Sequence, residues 1–168
     1  MIWCRAAAWA SVAKSGGPAG GGGKVRARPA RDLARSTRFY RDLVGLPSLG
    51  GFENHDGYDG VFFALPGGAE LELTAGPARP APSTDEDLLV LYVQTPAQVA
   101  AIGARLTAAG VTRIPNRNPY WNRSGLTFLD PDGYRLVIAA APGTSGGLEG
   151  QGQVVVDQAD GDRAFADG

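Results

Sequence analysis

Histidine and cysteine are almost missing from this 168-residue chain, which has one of each, His55 and Cys4. A single cysteine excludes an internal disulfide and any cluster of thiolate ligands, and a single histidine excludes a multi-histidine site within one chain. Neither sign of charge is in excess: 16 Lys plus Arg stand against 17 Asp plus Glu, a net charge of −1. Binders of nucleic acid or of anionic membranes carry a basic surplus, so neither partner is expected. No apolar run reaches the ~18–20 residues of a membrane span. The opening MIWCRAAAWASVAK is only mildly apolar and makes a poor secretion signal, so a cytoplasmic location is expected.

Glycine is abundant, and its distribution divides the chain. Thirteen of the 25 glycines fall in 1–23 and 142–168. SGGPAGGGG at 15–23 has the composition of a flexible linker, so 1–23 reads as a disordered Gly-rich leader. Gly23-Lys24 hints at a phosphate-binding loop, but Pro18 and Val25 break that pattern. Residues 142–168 carry five acids and one base and read as a disordered acidic tail. The folded domain is therefore expected over 24–141.

Within it the chain repeats itself. GVFFALPGGAELEL (60–73) and GLTFLDPDGYRLVI (125–138) align at an offset of 65, which matches Gly60 with Gly125, Phe63 with Phe128, Pro66 with Pro131 and Gly68 with Gly133. Each segment reads as a strand, a Pro/Gly turn and a second strand. Ahead of each lie a strand and a helix. Lys24–Arg31 is the first strand, and Asp32 caps a helix that Gly45 stops; Leu88–Val93 is the later strand, and Thr95-Pro96 opens a helix that Gly110 ends. Short strands near Leu49–Glu53 and Val111–Ile114 complete the order β-α-β-β-β, twice, in modules 24–77 and 86–141. One helix covers one face of each sheet, so the open faces are expected to pair and enclose a small-molecule cavity.

Asp32-Leu33 followed by Arg38-Phe39-Tyr40-Arg41-Asp42-Leu43-Val44-Gly45-Leu46 resembles the first helix of the vicinal-oxygen-chelate superfamily, and Phe128-Leu129-Asp130-Pro131-Asp132-Gly133-Tyr134 is similar to its late hairpin. That superfamily holds glyoxalase I, extradiol dioxygenases, and the bleomycin- and fosfomycin-resistance proteins. A narrower likeness, to a glyoxalase-like subfamily, rests on Ala27-Arg28-Pro29, His55-Asp56-Gly57-Tyr58-Asp59-Gly60 and Asn118-Pro119-Tyr120-Trp121. The resemblance implies an α+β fold of paired βαβββ modules and a homodimer. It also implies four metal-ligand positions, which fall near Val25, Glu72, Leu88 and Val137. Only Glu72 is a possible ligand there, and hard divalent ions need several oxygen or nitrogen donors, so no metal and no other cofactor is expected.

Several residues carry the functional reading. Glu70 and Glu72 alternate with Leu71 and Leu73, so one strand face is acidic and the other packs on a helix. Glu72 is either a cavity carboxylate, able to act as a base, or part of a solvated face. His55 is either a surface residue at a tight turn or an acid–base group at the rim. Tyr58 and Asp59 either face a ligand or satisfy the turn. Asn118, Tyr120 and Trp121 suit stacking and hydrogen bonding to a ligand, or plug the barrel end. Arg28 and Arg135 become partners for Glu72 or for an anionic ligand if they point inward, and Tyr92 has the same ambiguity. Asp130-Pro131-Asp132-Gly133 is assigned to turn geometry alone.

These residues lead to a metal-independent small-molecule-binding protein in the manner of the resistance proteins. The alternative is a lyase or isomerase with Glu72 as general base and His55 assisting, with or without a divalent metal. A third reading is a scaffold whose interior is filled by its own side chains.

Overall fold

In the computed structural model, which describes residues 24–78 and 80–143, the two halves of the repeat become two four-stranded sheets. The expected leader, and the tail from residue 144 on, lie outside the described residues. The first sheet holds β1 (Val25–Pro29), β2 (Ser48–His55), β3 (Tyr58–Ala64) and β4 (Glu70–Ala75) in the order β1-β4-β3-β2. The second holds β5 (Leu88–Val93), β6 (Arg113–Ile114), β7 (Gly125–Leu129) and β8 (Arg135–Ala140) in the order β5-β8-β7-β6. Pairing preserves the repeat: Phe63 stands opposite Leu71 and Phe128 opposite Leu136. Each first strand runs parallel to the last strand of its own module, and the other pairs are antiparallel.

The helices form where the local signals place them. Asp32 accepts the Arg35 N–H at 2.8 Å and starts α1 (Leu33–Arg38). It continues without a break into a π-helical stretch, Phe39–Val44, which Gly45 closes at φ 92°. The wider turn lets Phe39, Tyr40 and Val44 all reach the core. Thr95 and Gln98 cap each other's backbone at the start of α2 (Pro96–Ala108), which buries Ile102 and Leu106. Leu71, Leu73, Leu89, Leu91, Leu136 and Ile138 supply the sheet side of this one shared core.

Three features depart from expectation. A third helix, α3 (Pro119–Ser124), lies between β6 and β7, capped by the Asn118 side chain on the Tyr120 N–H at 2.9 Å. Its start repeats the cap-then-proline signal of Thr95-Pro96. The Asp130–Gly133 turn, assigned to turn geometry alone, also joins the modules. Asp130 accepts the Tyr40 hydroxyl at 2.7 Å, and Asp132 accepts the Ser36 hydroxyl at 2.7 Å and the Arg31 N–H at 2.8 Å. In return, Arg105 of α2 donates to the carbonyls of Leu43 and Val44 at the end of the π-helical stretch. The sheets do not close into a barrel, so the expected enclosure of a cavity is not shown.

Candidate functional site

Strand alternation sorts the candidate residues by face. In the first module Leu71 and Leu73 point into the core, which puts Glu70 and Glu72 on the opposite, open face. Glu72 stands between Ala27 on β1 and Phe62 on β3, half-buried. Phe62 continues into Phe52, whose ring is 5.9 Å away and lies over Gly60; a Cβ there would come within 2.3 Å of it. The acidic strand face is thus also an aromatic one.

The β2–β3 hairpin holds three candidates. Asp56 and Gly57 take φ values of 52° and 82°, a two-residue turn matched to strand twist. His55 is exposed at its edge, with its ring 5.9 Å from Phe52. Asp59 accepts the Asn54 N–H at 2.8 Å, so its carboxylate serves the turn. Tyr58 lies on the open-face side with Phe62, and its ring covers Gly76, where a Cβ would come within 2.1 Å of it.

The open face of the second module is roofed. Its strands place Thr127, Val137 and Ala139 on that side, and all three are buried. α3 lies across β7 and β8 and brings Trp121 to 4.8 Å from Tyr120 and 6.3 Å from Tyr92. Tyr120 and Tyr92 remain exposed at 45% and 38%. Partial burial, and then Tyr120, push the Tyr92 phenol above its usual range. Two residues outside the candidate set hold this roof: Asn116 and Asn122 exchange hydrogen bonds of 2.7 and 2.8 Å, and Asn116 also reaches Thr127 at 3.5 Å. The signal was the run of asparagines in Asn116-Arg117-Asn118-Pro119-Tyr120-Trp121-Asn122. Asn118 itself is spent on the helix cap.

The arginines take other places. Arg28 pairs with Leu73 in register, so it points to the core side and does not meet Glu72. It is 3% exposed, with its guanidinium 4.6 Å over the Tyr134 ring and Nη1 4.0 Å from Asp130. Burial raises the Asp130 carboxyl, opposed by hydrogen bonds from Tyr40 and from the Tyr134 and Asp132 amides. Arg135 is on the open-face side but is held by Asp85 at 2.5 Å and the Thr84 carbonyl at 3.3 Å.

A divalent cation fits these residues poorly. The four implied positions supply one carboxylate, Glu72, beside the hydrocarbon side chains of Val25, Leu88 and Val137. Val137, the repeat equivalent of Glu72, is fully buried. Among the described residues no three His, Cys, Asp or Glu side chains come together where they could hold a metal ion. Pairing two chains would bring the same four residue types together.

Comparison with known proteins places this geometry in context. Residues 25–74 match the family model of the YycE-like N-terminal domain and residues 86–140 that of the YycE-like C-terminal domain. The uncharacterised protein YycE of Bacillus subtilis (strain 168) is 41% identical over 124 residues, 71% of this chain and 88% of that protein. A crystal structure of a YycE protein of unknown function from Bacillus subtilis superposes with a TM-score of 0.64 at 38% identity, covering 77% of this chain and 93% of the other. A glyoxalase/bleomycin resistance protein/dioxygenase domain from Frankia sp. EAN1pec superposes with a TM-score of 0.58 at 23% identity, covering 75% and 96%.

Proposed function

The chain belongs to the YycE-like family, and we propose that within this glyoxalase-type fold it is a metal-independent, small-molecule-binding protein, cytoplasmic and homodimeric. The observation that carries this reading is the open sheet face that sets Glu72 beside Phe62; the other module presents a half-exposed aromatic group of its own, Tyr92, Tyr120 and Trp121. Exposed rings give stacking area at little conformational cost, and one carboxylate gives polarity to the recognition. His55 and Tyr58 form the rim of the first face. A flat or apolar ligand with a cationic or hydrogen-bond-donating group matches this combination.

The test is ligand binding followed by calorimetry, with bleomycin and fosfomycin as first probes and then a small-molecule panel. Trp121→Ala is expected to weaken binding by about tenfold or more, and Glu72→Gln by only a few fold. If Glu72→Gln instead abolishes a turnover that wild type shows, with affinity kept, the protein is a lyase or isomerase using Glu72 as its base. If no panel member binds, the binding reading loses its support.

A further inference from the structure

We infer that the groove at the junction of the two modules, on their helical side, is a second ligand site that takes an amphipathic monoanion, a carboxylate on a short apolar body. The groove has a volume of about 420 Å³, within the ~300–1,000 Å³ of small-molecule sites. One wall is the first helix, which presents Arg35 and Arg38 and then Phe39 and Leu43. The other wall comes from the second module: Val111, just after α2, and Leu129 at the end of β7.

The two guanidiniums give the site its sign. Arg35 and Arg38 are three residues apart on α1, so they are neighbours on its surface. Both are exposed, and no ion pair among the described residues engages either. Arg41, one turn further on, is held by Asp42 at 2.8 Å. Asp130 also lines the groove, but its oxygens are already occupied. Oδ2 accepts from Tyr40, Oδ1 accepts two backbone N–H groups, and the side chain is 2% exposed.

The apolar walls give the site its second requirement. Leu43, Val111 and Pro131 are half-buried and line the groove together with Phe39. An inorganic anion leaves those walls wet, and a neutral hydrocarbon leaves two guanidiniums unmatched. A ligand satisfying both would touch α1 of the first module and β7 of the second, and so would add to the Tyr40–Asp130 tie. Glu72, Tyr58, Tyr92, Tyr120 and Trp121 do not line this groove, so its occupancy is independent of the open-face site.

The experiment uses the 168-residue chain with octanoate as probe and octanamide as its neutral counterpart, followed by amide NMR shifts and calorimetry. Saturable octanoate binding with a Kd of about 0.1–10 mM is expected, with shifts at Gly110, Val111 and Leu129. Octanamide should bind about tenfold more weakly, as should octanoate to the Arg35→Gln/Arg38→Gln double variant. Arg123→Gln, an exposed arginine outside the groove, should leave the affinity unchanged. No saturation, equal binding of octanamide, or shifts confined to Tyr92 and Trp121 would each overturn the inference. Should the double variant misfold, the shift map and the octanamide comparison on wild type decide alone.

Discussion

The hydroxyl of Tyr40 donates a 2.7 Å hydrogen bond to the carboxylate of Asp130, ninety residues away. Tyr40 belongs to the first module and Asp130 to the second, and both are buried. This bond and its neighbours make one domain out of two repeats. Tyr40→Phe keeps the ring packing but leaves Asp130 Oδ2 short of its donor. A loss of about 1–3 kcal/mol in unfolding free energy is expected, read by chemical denaturation. A variant as stable as wild type would mean that the shared core alone docks the modules.

The same tyrosine predicts an alkaline limit. Burial, and then the charge of Asp130, push the Tyr40 phenol well above its usual value. Unfolded Tyr40 loses its proton near pH ~10, while the folded phenol keeps it, so the folded state binds more protons there and stability falls as pH rises. Its share of that slope is roughly 1.4 kcal/mol per pH unit between the two values. Tyr92 and Tyr134 are also raised and add to the same slope. Denaturation of wild type and Tyr40→Phe at about pH 8 and pH 11 should therefore show a shallower fall in the variant. Equal slopes would mean that Tyr40 ionises normally in the fold.

Both of these rest on a contact between residues far apart in the chain. The offset of 65 reaches into the paired strands because each hairpin is closed by local Pro and Gly chemistry, and Asp32, Thr95-Pro96 and Gly45 act within a turn of themselves. The face of Glu72 was legible for the same reason, since alternation with Leu71 and Leu73 is local. The role of Asp130 was not, because its turn geometry already accounts for an Asp-Pro-Asp-Gly sequence and its partner is in the other half. The direction of Arg28 depends on strand register, which Leu73 opposite it supplies. α3 is written in Asn118-Pro119, but the aromatic pair behind it suits either ligand recognition or a plug at the barrel end, and neither requires a helix.

Arg105 makes the opposing tie. Its guanidinium donates to the carbonyls of Leu43 and Val44, where the π-helical stretch ends and carbonyls lack helical partners. Arg105→Met keeps most of the apolar stem and removes both donors. A loss of about 1–2 kcal/mol is expected, with Tm lower by roughly 3–8 °C. Arg105→Lys, which keeps the charge but not the fork, should recover part of it. A scan of both variants against wild type checks this, and equal Tm values would make the contact incidental.

Metal loading tests the one carboxylate that the open face retains. A divalent ion at Glu72 would have a single protein oxygen from the four positions that the superfamily resemblance implies, because Val25, Leu88 and Val137 offer hydrocarbon. With every other ligand a water, such an ion exchanges freely and is lost on gel filtration. Untagged protein purified without chelators or metal columns, then incubated with manganese, nickel or zinc and desalted, is expected to hold less than about 0.1 equivalent by elemental analysis. The same protein should show equal Tm values with and without the metal salts, since an ion that binds only the folded state would raise Tm. Stoichiometric retention that disappears in Glu72→Gln would show that further ligands converge on Glu72, and the chemistry would then be that of a Lewis acid rather than of a binding surface. Retention unchanged in Glu72→Gln would instead place a metal elsewhere and leave the open-face reading as it stands.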